Sequence, residues 1–233
     1  MHDAVRQRAS QYKTFNDFFT RQLRDGARPI QGTQAQLCCP VDGTVSQLGR
    51  ISHGTILQAK GRDYSLQDLL GGRPDDSKAF ENGSFATLYL SPRDYHRIHM
   101  PVTGSLESMH YIPGRLFSVA PHTVRVVPRL FARNERVVTI FNTEAGKLAM
   151  VLVGAINVAA IETVWAGLIT PPTAKDITYN DYSEGEHTLY KGEEMGRFNM
   201  GSTVILLLEH GSLRSDLTAG DPVRMGELLG DFQ

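Results

Sequence analysis

Cysteine is nearly absent. The 233-residue chain has two, Cys38 and Cys39, and they are neighbours. Adjacent strand residues point to opposite faces, so the pair supplies no disulfide framework; without any Cys-x-x-Cys, both read as reduced core thiols of a cytosolic chain. A basic excess is missing too. Lys plus Arg number 24 against 25 Asp plus Glu, a formal net charge of -1, which speaks against a nucleic-acid partner. Long apolar runs are also lacking: the longest, Leu148 to Ile156, falls short of the ~18 to 20 residues that span a bilayer and suits a buried strand. Met1 to Arg8 do not resemble a signal peptide. The expectation is a protein that is soluble or peripheral to a membrane.

The length permits one large domain, and no repeat, low-complexity tract or linker divides residues 1-233. Short apolar runs punctuated by Gly, Pro, Asn and Asp predict strands near 37-48, 55-60, 84-90, 104-112, 122-127, 136-141, 147-157, 161-165 and 203-209. Helices are few. One begins at Thr14, a cap with Asp17 three residues on, and sets Phe15, Phe18, Phe19 and Leu23 on one face; a second covers Ser65 to Leu70, and Ser91 to Arg97 is read as one helical turn. The fold class is mainly β (α+β): packed sheets in one domain, with peripheral helices that include the N-terminal amphipathic one. Thr170 to Thr173 reads as a rigid loop and Tyr179 to Gly185 as a mobile one.

Residues 1-29 hold Arg6, Arg8, Lys13, Arg21, Arg24 and Arg28 against Asp3, Asp17 and Asp25. The favoured reading packs the first helix on the core through its three phenylalanines. The alternative lays it on anionic lipid through its arginines.

Three segments carry candidate chemistry. Gly201-Ser202-Thr203 opens the apolar run Val204 to Leu208 close to the C-terminus, and a serine there is a candidate for self-cleavage. In Ser91-Pro92-Arg93-Asp94-Tyr95-His96-Arg97-Ile98-His99-Met100-Pro101, Ser91 can cap, Pro92 suits the first helical position and Pro101 ends the element. His96 and His99 would then share one side. Asp42-Gly43, between Val41 and Val45, offers an aspartate able to orient an imidazole as in a Ser-His-Asp triad. A metal would need a third ligand, and neither Asp94 nor His110 completes a recognisable spacing with the histidines, so no metal is expected.

Leu90 to Pro101, Phe131-Ala132-Arg133-Asn134-Glu135-Arg136, Glu162-Thr163-Val164-Trp165-Ala166-Gly167, and Glu194-Met195-Gly196-Arg197-Phe198 leading to Gly201-Ser202-Thr203 together resemble the bacterial phosphatidylserine decarboxylase proenzymes, in the family's order, from about Phe15 to the terminal region. The family's usual Leu-Gly-Ser-Thr reads Met200-Gly201-Ser202-Thr203 here, a change between side chains of similar volume. Family members usually carry a longer N-terminal region before the segment matching Phe15.

The resemblance implies a self-processing decarboxylase of phospholipid biosynthesis that converts phosphatidylserine to phosphatidylethanolamine and carbon dioxide. Ser202 would attack the Gly201 carbonyl, with His99 as base and Asp42 orienting it. Elimination and hydrolysis would leave a covalent pyruvoyl cofactor in place of Ser202, dividing the chain into a large subunit, 1-201, and a small one, 202-233. Such a carbonyl is an electron sink for decarboxylation, and His96 is the candidate to reprotonate the product carbon. Further expectations are peripheral attachment to the cytoplasmic face of the cell membrane, with a homodimer compatible. Tyr111 to Phe117 could meet acyl chain and phosphate or form a buried turn. An uncleaved lipid-binding homologue and a Ser-His-Asp hydrolase are the alternatives; the hydrolase lacks a Gly-x-Ser-x-Gly elbow.

Overall fold

The structure is a computed structural model that describes residues 1-156, 160-170, 175-185, 187-199, 202-209, 211 and 213-231, with only the backbone of Ser202. Strands are β1 (Gln36–Cys38), β2 (Gly43–Arg50), β3 (Thr55–Ala59), β4 (Arg62–Ser65), β5 (Ser84–Leu90), β6 (Arg97–His99), β7 (Gly104–Ile112), β8 (Arg136–Thr143), β9 (Gly146–Val153), β10 (Ile161–Thr163), β11 (Gly167–Leu168), β12 (Thr178–Asp181), β13 (Thr188–Leu189), β14 (Glu194–Phe198), β15 (Ser202–Leu208), β16 (Pro222–Val223) and β17 (Leu228–Asp231). Short helices are α1 (Phe15–Phe19), α2 (Leu66–Leu69), α3 (Pro74–Phe80), α4 (Pro121–Val126) and α5 (Leu130–Arg133). The β-rich class read from the sequence is the observed one.

The main sheet runs β12-β7-β8-β9-β15-β5-β2-β16, with β13 also on β7, and a smaller sheet runs β11-β10-β14-β6. Both faces of the main sheet are covered. On one, Leu88, Leu152 and Val204 meet Ile98, Ile161, Met195 and Phe198 of the smaller sheet; on the other, Phe85, Val151 and Ile205 meet Leu66, Phe80, Val124 and Phe131 of the helical layer. Double coverage explains why β9 and β15 are continuous apolar runs, since burial on both faces removes the alternation of a half-exposed strand.

The antiparallel register sets the site. Ser202 pairs with Leu90, Thr203 with both Tyr89 and Val153, Thr44 with Tyr89, and Arg136 with Val153. The start of β2, the end of β5, the start of β15 and the end of β9 therefore lie together at one end of the sheet. Gly43 is required there, because a Cβ would sit 2.3 Å from the Tyr89 carbonyl oxygen.

Two caps are as expected: Thr14 Oγ1 accepts from the Asp17 N–H and Ser65 Oγ from Asp68. Several expectations are corrected. Residues 122-126 belong to helix α4, with Val127 capping its end, for Pro121 occupies its first turn and pre-sets helical φ, outweighing the β-branched valines; α3 and α5 went unforeseen. Ser91 to Arg97 is a tight turn that enters β6, with Asp94 N–H donating to the Ser91 carbonyl and Ser91 N–H to the Asp94 carboxylate. Pairing of β6 with β14 wins over the local capping signal. The supposed loop 179-185 begins as β12, paired with β7. Of the phenylalanines in α1, only Phe19 is buried, at 2% exposed, whereas Phe15 is 64% exposed. The strand expected over 147-157 stops at Val153, residues 154-156 being outside any strand; Asn157 and Pro171 to Thr173 lie outside the described residues.

Gly43→Ala tests the close approach of β2 to β5. We expect a loss of about 2 kcal/mol, the scale of a steric change in a packed core, read as a lower urea midpoint with an unchanged slope.

Candidate active site

The histidine segment lies between two sheets. Leu90, its first residue, is the β-partner of Ser202, and its end is β6 in the smaller sheet. His96 precedes β6 and His99 ends it, so the helical turn expected to set the two on one side does not form, and their rings have different neighbours. His96 packs against Phe19, ring centroids 4.0 Å apart. His99 instead contacts Tyr95, ring centroids 5.7 Å apart.

His99 has both ring nitrogens engaged. Nδ1 is 2.8 Å from the Gly192 carbonyl oxygen and Nε2 is 2.9 Å from the Tyr95 hydroxyl. A carbonyl only accepts, so Nδ1 carries the proton and the Nε2 lone pair accepts from Tyr95. Burial lowers the pKa of His99, keeping the ring neutral. Its position is fixed through the backbone as well, for His99 N–H donates to the Pro40 carbonyl, two residues before Asp42.

Asp42 sits at the entry to β2 and does not hydrogen-bond His99. Its carboxylate accepts two bonds from Arg28, at 3.0 and 2.6 Å, and one from the Met225 N–H at 2.9 Å. Arg28 also reaches Asp3 at 2.8 Å, and its two carboxylate partners raise its pKa. Asp42 still acts on His99 and His96 through space, its charge favouring the protonated imidazole of each against burial.

His96 is fully buried. Its Nδ1 donates to the Asp94 carbonyl at 2.9 Å, and its Nε2 has no hydrogen-bond partner among the described residues. Burial pushes the pKa down to about 4, so at neutral pH Nε2 presents an unused lone pair. Leaving such an atom unsatisfied costs about 1 to 3 kcal/mol, which marks it as waiting for a ligand or a proton.

The quoted motifs hold this arrangement in place. Across β10, β14 and β6, Glu162 faces Arg197 and Arg197 faces Arg97. The two arginines are separately neutralised, Arg197 by Glu162 with two bonds of 2.7 Å and Arg97 by Glu194 at 2.7 Å. Asn134 Nδ2 donates to the Phe117 and Gly154 carbonyls and its Oδ1 accepts from Phe117 N–H, pinning the loop after β7. Tyr111 and Ile112 begin that segment buried, while Arg115 and Leu116 are exposed. Glu135 accepts from the Tyr111 hydroxyl at 2.8 Å.

The N-terminal segment closes on the histidines. Arg97 Nε donates to the Thr20 carbonyl, Arg21 to the Arg93 and Asp94 carbonyls, and Asn16 to Asn199. Sequence reasoning missed Arg28, Tyr95 and the Gly192 carbonyl; only Tyr95 had a local signal, being four residues before His99. Gly201 and Met200 lie outside the described residues, as does the side chain of Ser202. The other residues weighed as metal ligands are elsewhere engaged: the Asp94 carboxylate accepts from Ser91, and His110 lies 3.7 Å from Asp76.

The family model described as phosphatidylserine decarboxylase matches residues 15–231. Among curated proteins, the phosphatidylserine decarboxylase proenzyme of Pseudoalteromonas atlantica is 55% identical, covering 98% of this chain and 82% of the relative. That of Shewanella amazonensis is 60% identical over 89% and 73%, and that of Pseudomonas putida 54% over 99% and 82%. The chain is therefore an enzyme, a decarboxylase. It belongs to the phosphatidylserine decarboxylase family.

Stability should fall in acid through His96. An unfolded histidine titrates near ~6.5 whereas His96 is held to about 4, so below pH ~6.5 the unfolded chain takes up a proton that the folded chain refuses. The contribution is complete above the unfolded value and lost as pH falls towards the folded one, by about 3 kcal/mol. Urea denaturation between pH 7 and 4 should show this decline, and His96→Gln should flatten it.

Proposed function

We propose that this chain is a proenzyme that cleaves itself between Gly201 and Ser202, converts Ser202 to a pyruvoyl group and decarboxylates phosphatidylserine to phosphatidylethanolamine. The observation that carries the reading is the register that starts β15 at Ser202 beside Leu90, with the histidine segment following Leu90 and Asp42 entering the neighbouring β2. A pyruvoyl carbonyl supplies an electron sink for the pair left when carbon dioxide departs. A His96 Nε2 without a partner among the described residues, together with a neutral, fully hydrogen-bonded His99, fits a site with two proton-handling duties.

For cleavage, His99 is the base. Its Nε2 lone pair takes the Ser202 hydroxyl proton once Tyr95 gives way, while Gly192 holds the tautomer through Nδ1. Asp42, anchored by Arg28, stabilises the imidazolium through space. For turnover, His96 carries the proton. The carbon that has lost carbon dioxide is far more basic than an imidazole, and Nε2 relays to it a proton supplied from outside the site. Burial disfavours the charged ring, which makes the proton easy to give up.

Access to substrate is proposed from the membrane surface, on the cytoplasmic face. Supporting this are the exposed Phe15, the basic N-terminal segment, and the bonds that tie it to residues 93-97. The large and small subunits remain joined through β15, held between β5 and β9.

Intact mass of the purified protein tests processing: two fragments should appear, the smaller one blocked to Edman chemistry and reactive towards carbonyl reagents. Ser202→Ala should remain a single chain, and His99→Ala and Asp42→Ala should accumulate uncleaved protein. His96→Ala should cleave yet lose at least about 100-fold in product formation, the usual scale of acid–base catalysis. Normal processing in His99→Ala, or full turnover in His96→Ala, would overturn the respective role. Sedimentation with vesicles should favour anionic lipid and weaken as salt rises; equal binding to neutral vesicles at low salt would remove the electrostatic part.

A further inference from the structure

On the helical side of the main sheet lies a cleft of about 400 Å³ whose lining includes Arg129, Arg133, Arg136, Asp68, Ile112 and Ile177. Arg136, at its floor, is 2% exposed. Its guanidinium donates to the carbonyls of Leu69, Asn134 and Asp68 at 2.7, 2.8 and 2.6 Å, and among the described residues it makes no ion pair. Three of five N–H donors are thus used, all on neutral carbonyls, and the Asp68 carboxylate acts on the charge only through space. A buried charge without a counter-ion is expensive; here burial pushes the pKa down to about 10.

The rim adds to the charge. Arg129 is held in left-handed backbone, φ 52°, and has only a 3.5 Å contact with Asp68, both side chains at least half exposed. Arg133 lies over the Phe117 ring at 4.7 Å and reaches the Pro128 carbonyl at 3.3 Å. Between Glu107 and Glu135 the chain has four arginines and no acidic residue. Three arginines and one aspartate line the cleft, and guanidinium groups match a tetrahedral dianion that accepts several hydrogen bonds at once. Ile112 and Ile177 give one wall an apolar surface suited to the carbon part of an ester.

We propose that this cleft is a phosphate-ester site, separate from the site at Ser202, in which Arg136 anchors the phosphate and Arg129 and Arg133 close over it. It does not depend on self-cleavage. The full-length protein is titrated with inorganic phosphate and glycerol 3-phosphate, neither of which has an amine to react elsewhere, while the arginine Nε–Hε resonances are followed by NMR. Neutral vesicles with and without phosphatidic acid are sedimented in parallel. Saturable movement of the Arg136 resonance is expected, with affinity falling at least about tenfold in R129Q/R133Q and unchanged in R50Q/K60Q, which removes the same charge elsewhere. Binding of the free esters assigns the site to a soluble ligand; binding only of phosphatidic acid vesicles, lost in R129Q/R133Q and kept in R50Q/K60Q, assigns it to a lipid headgroup. A still Arg136 resonance together with equal vesicle binding by wild type and R129Q/R133Q would overturn the proposal, as would equal loss of affinity in the two double variants.

Discussion

The antiparallel register of β2, β5, β15, β9 and β8 is the constraint on which the rest of the molecule depends. Neighbouring strands run in opposite directions, so the end of one lies beside the start of the next, and residues as distant as Gly43, Leu90, Arg136, Val153 and Ser202 are gathered at one end of one sheet. A one-residue slip would exchange the two faces of a strand. Because both faces of β5, β9 and β15 are packed, such a slip would drive every core residue of that strand into the wrong layer. Register and core therefore reinforce each other, and the position of Ser202 follows from packing along the whole length of β15.

Around that end the molecule manages charge by burial and pairing. Asp42 is satisfied by Arg28 and a backbone N–H, Arg97 and Arg197 have their own glutamates, and the two imidazoles are kept neutral by desolvation. The resulting site holds lone pairs at His96 and His99 near neutral pH, with acids and bases that do not quench one another. The N-terminal segment contributes directly: Asp3 braces Arg28, Phe19 covers His96, and Thr20 accepts from Arg97. One short segment thus exposes Phe15 on one side and packs Phe19 on His96 on the other.

Local patterns carried far in this sequence. The chain alone determined the β-rich class, the bounds of β5 and β7, the caps at Thr14 and Ser65, and the residue types gathered near Ser202, because apolar periodicity, turn residues and caps are short-range signals and the motifs are contiguous. Only the tertiary structure decided what followed Leu90. The capping pattern at Ser91 to Asp94 is compatible with a helix, but the hydrogen bonds offered by β14 make Arg97–His99 a strand, and His96 and His99 end against different neighbours, Phe19 and Tyr95. Long-range contact likewise gave Asp42 to Arg28, Glu162 to Arg197 and the Leu69 carbonyl to Arg136. Each of these depends on groups brought together by the fold from other parts of the chain, and the energy of such a meeting is absent from any local stretch of sequence.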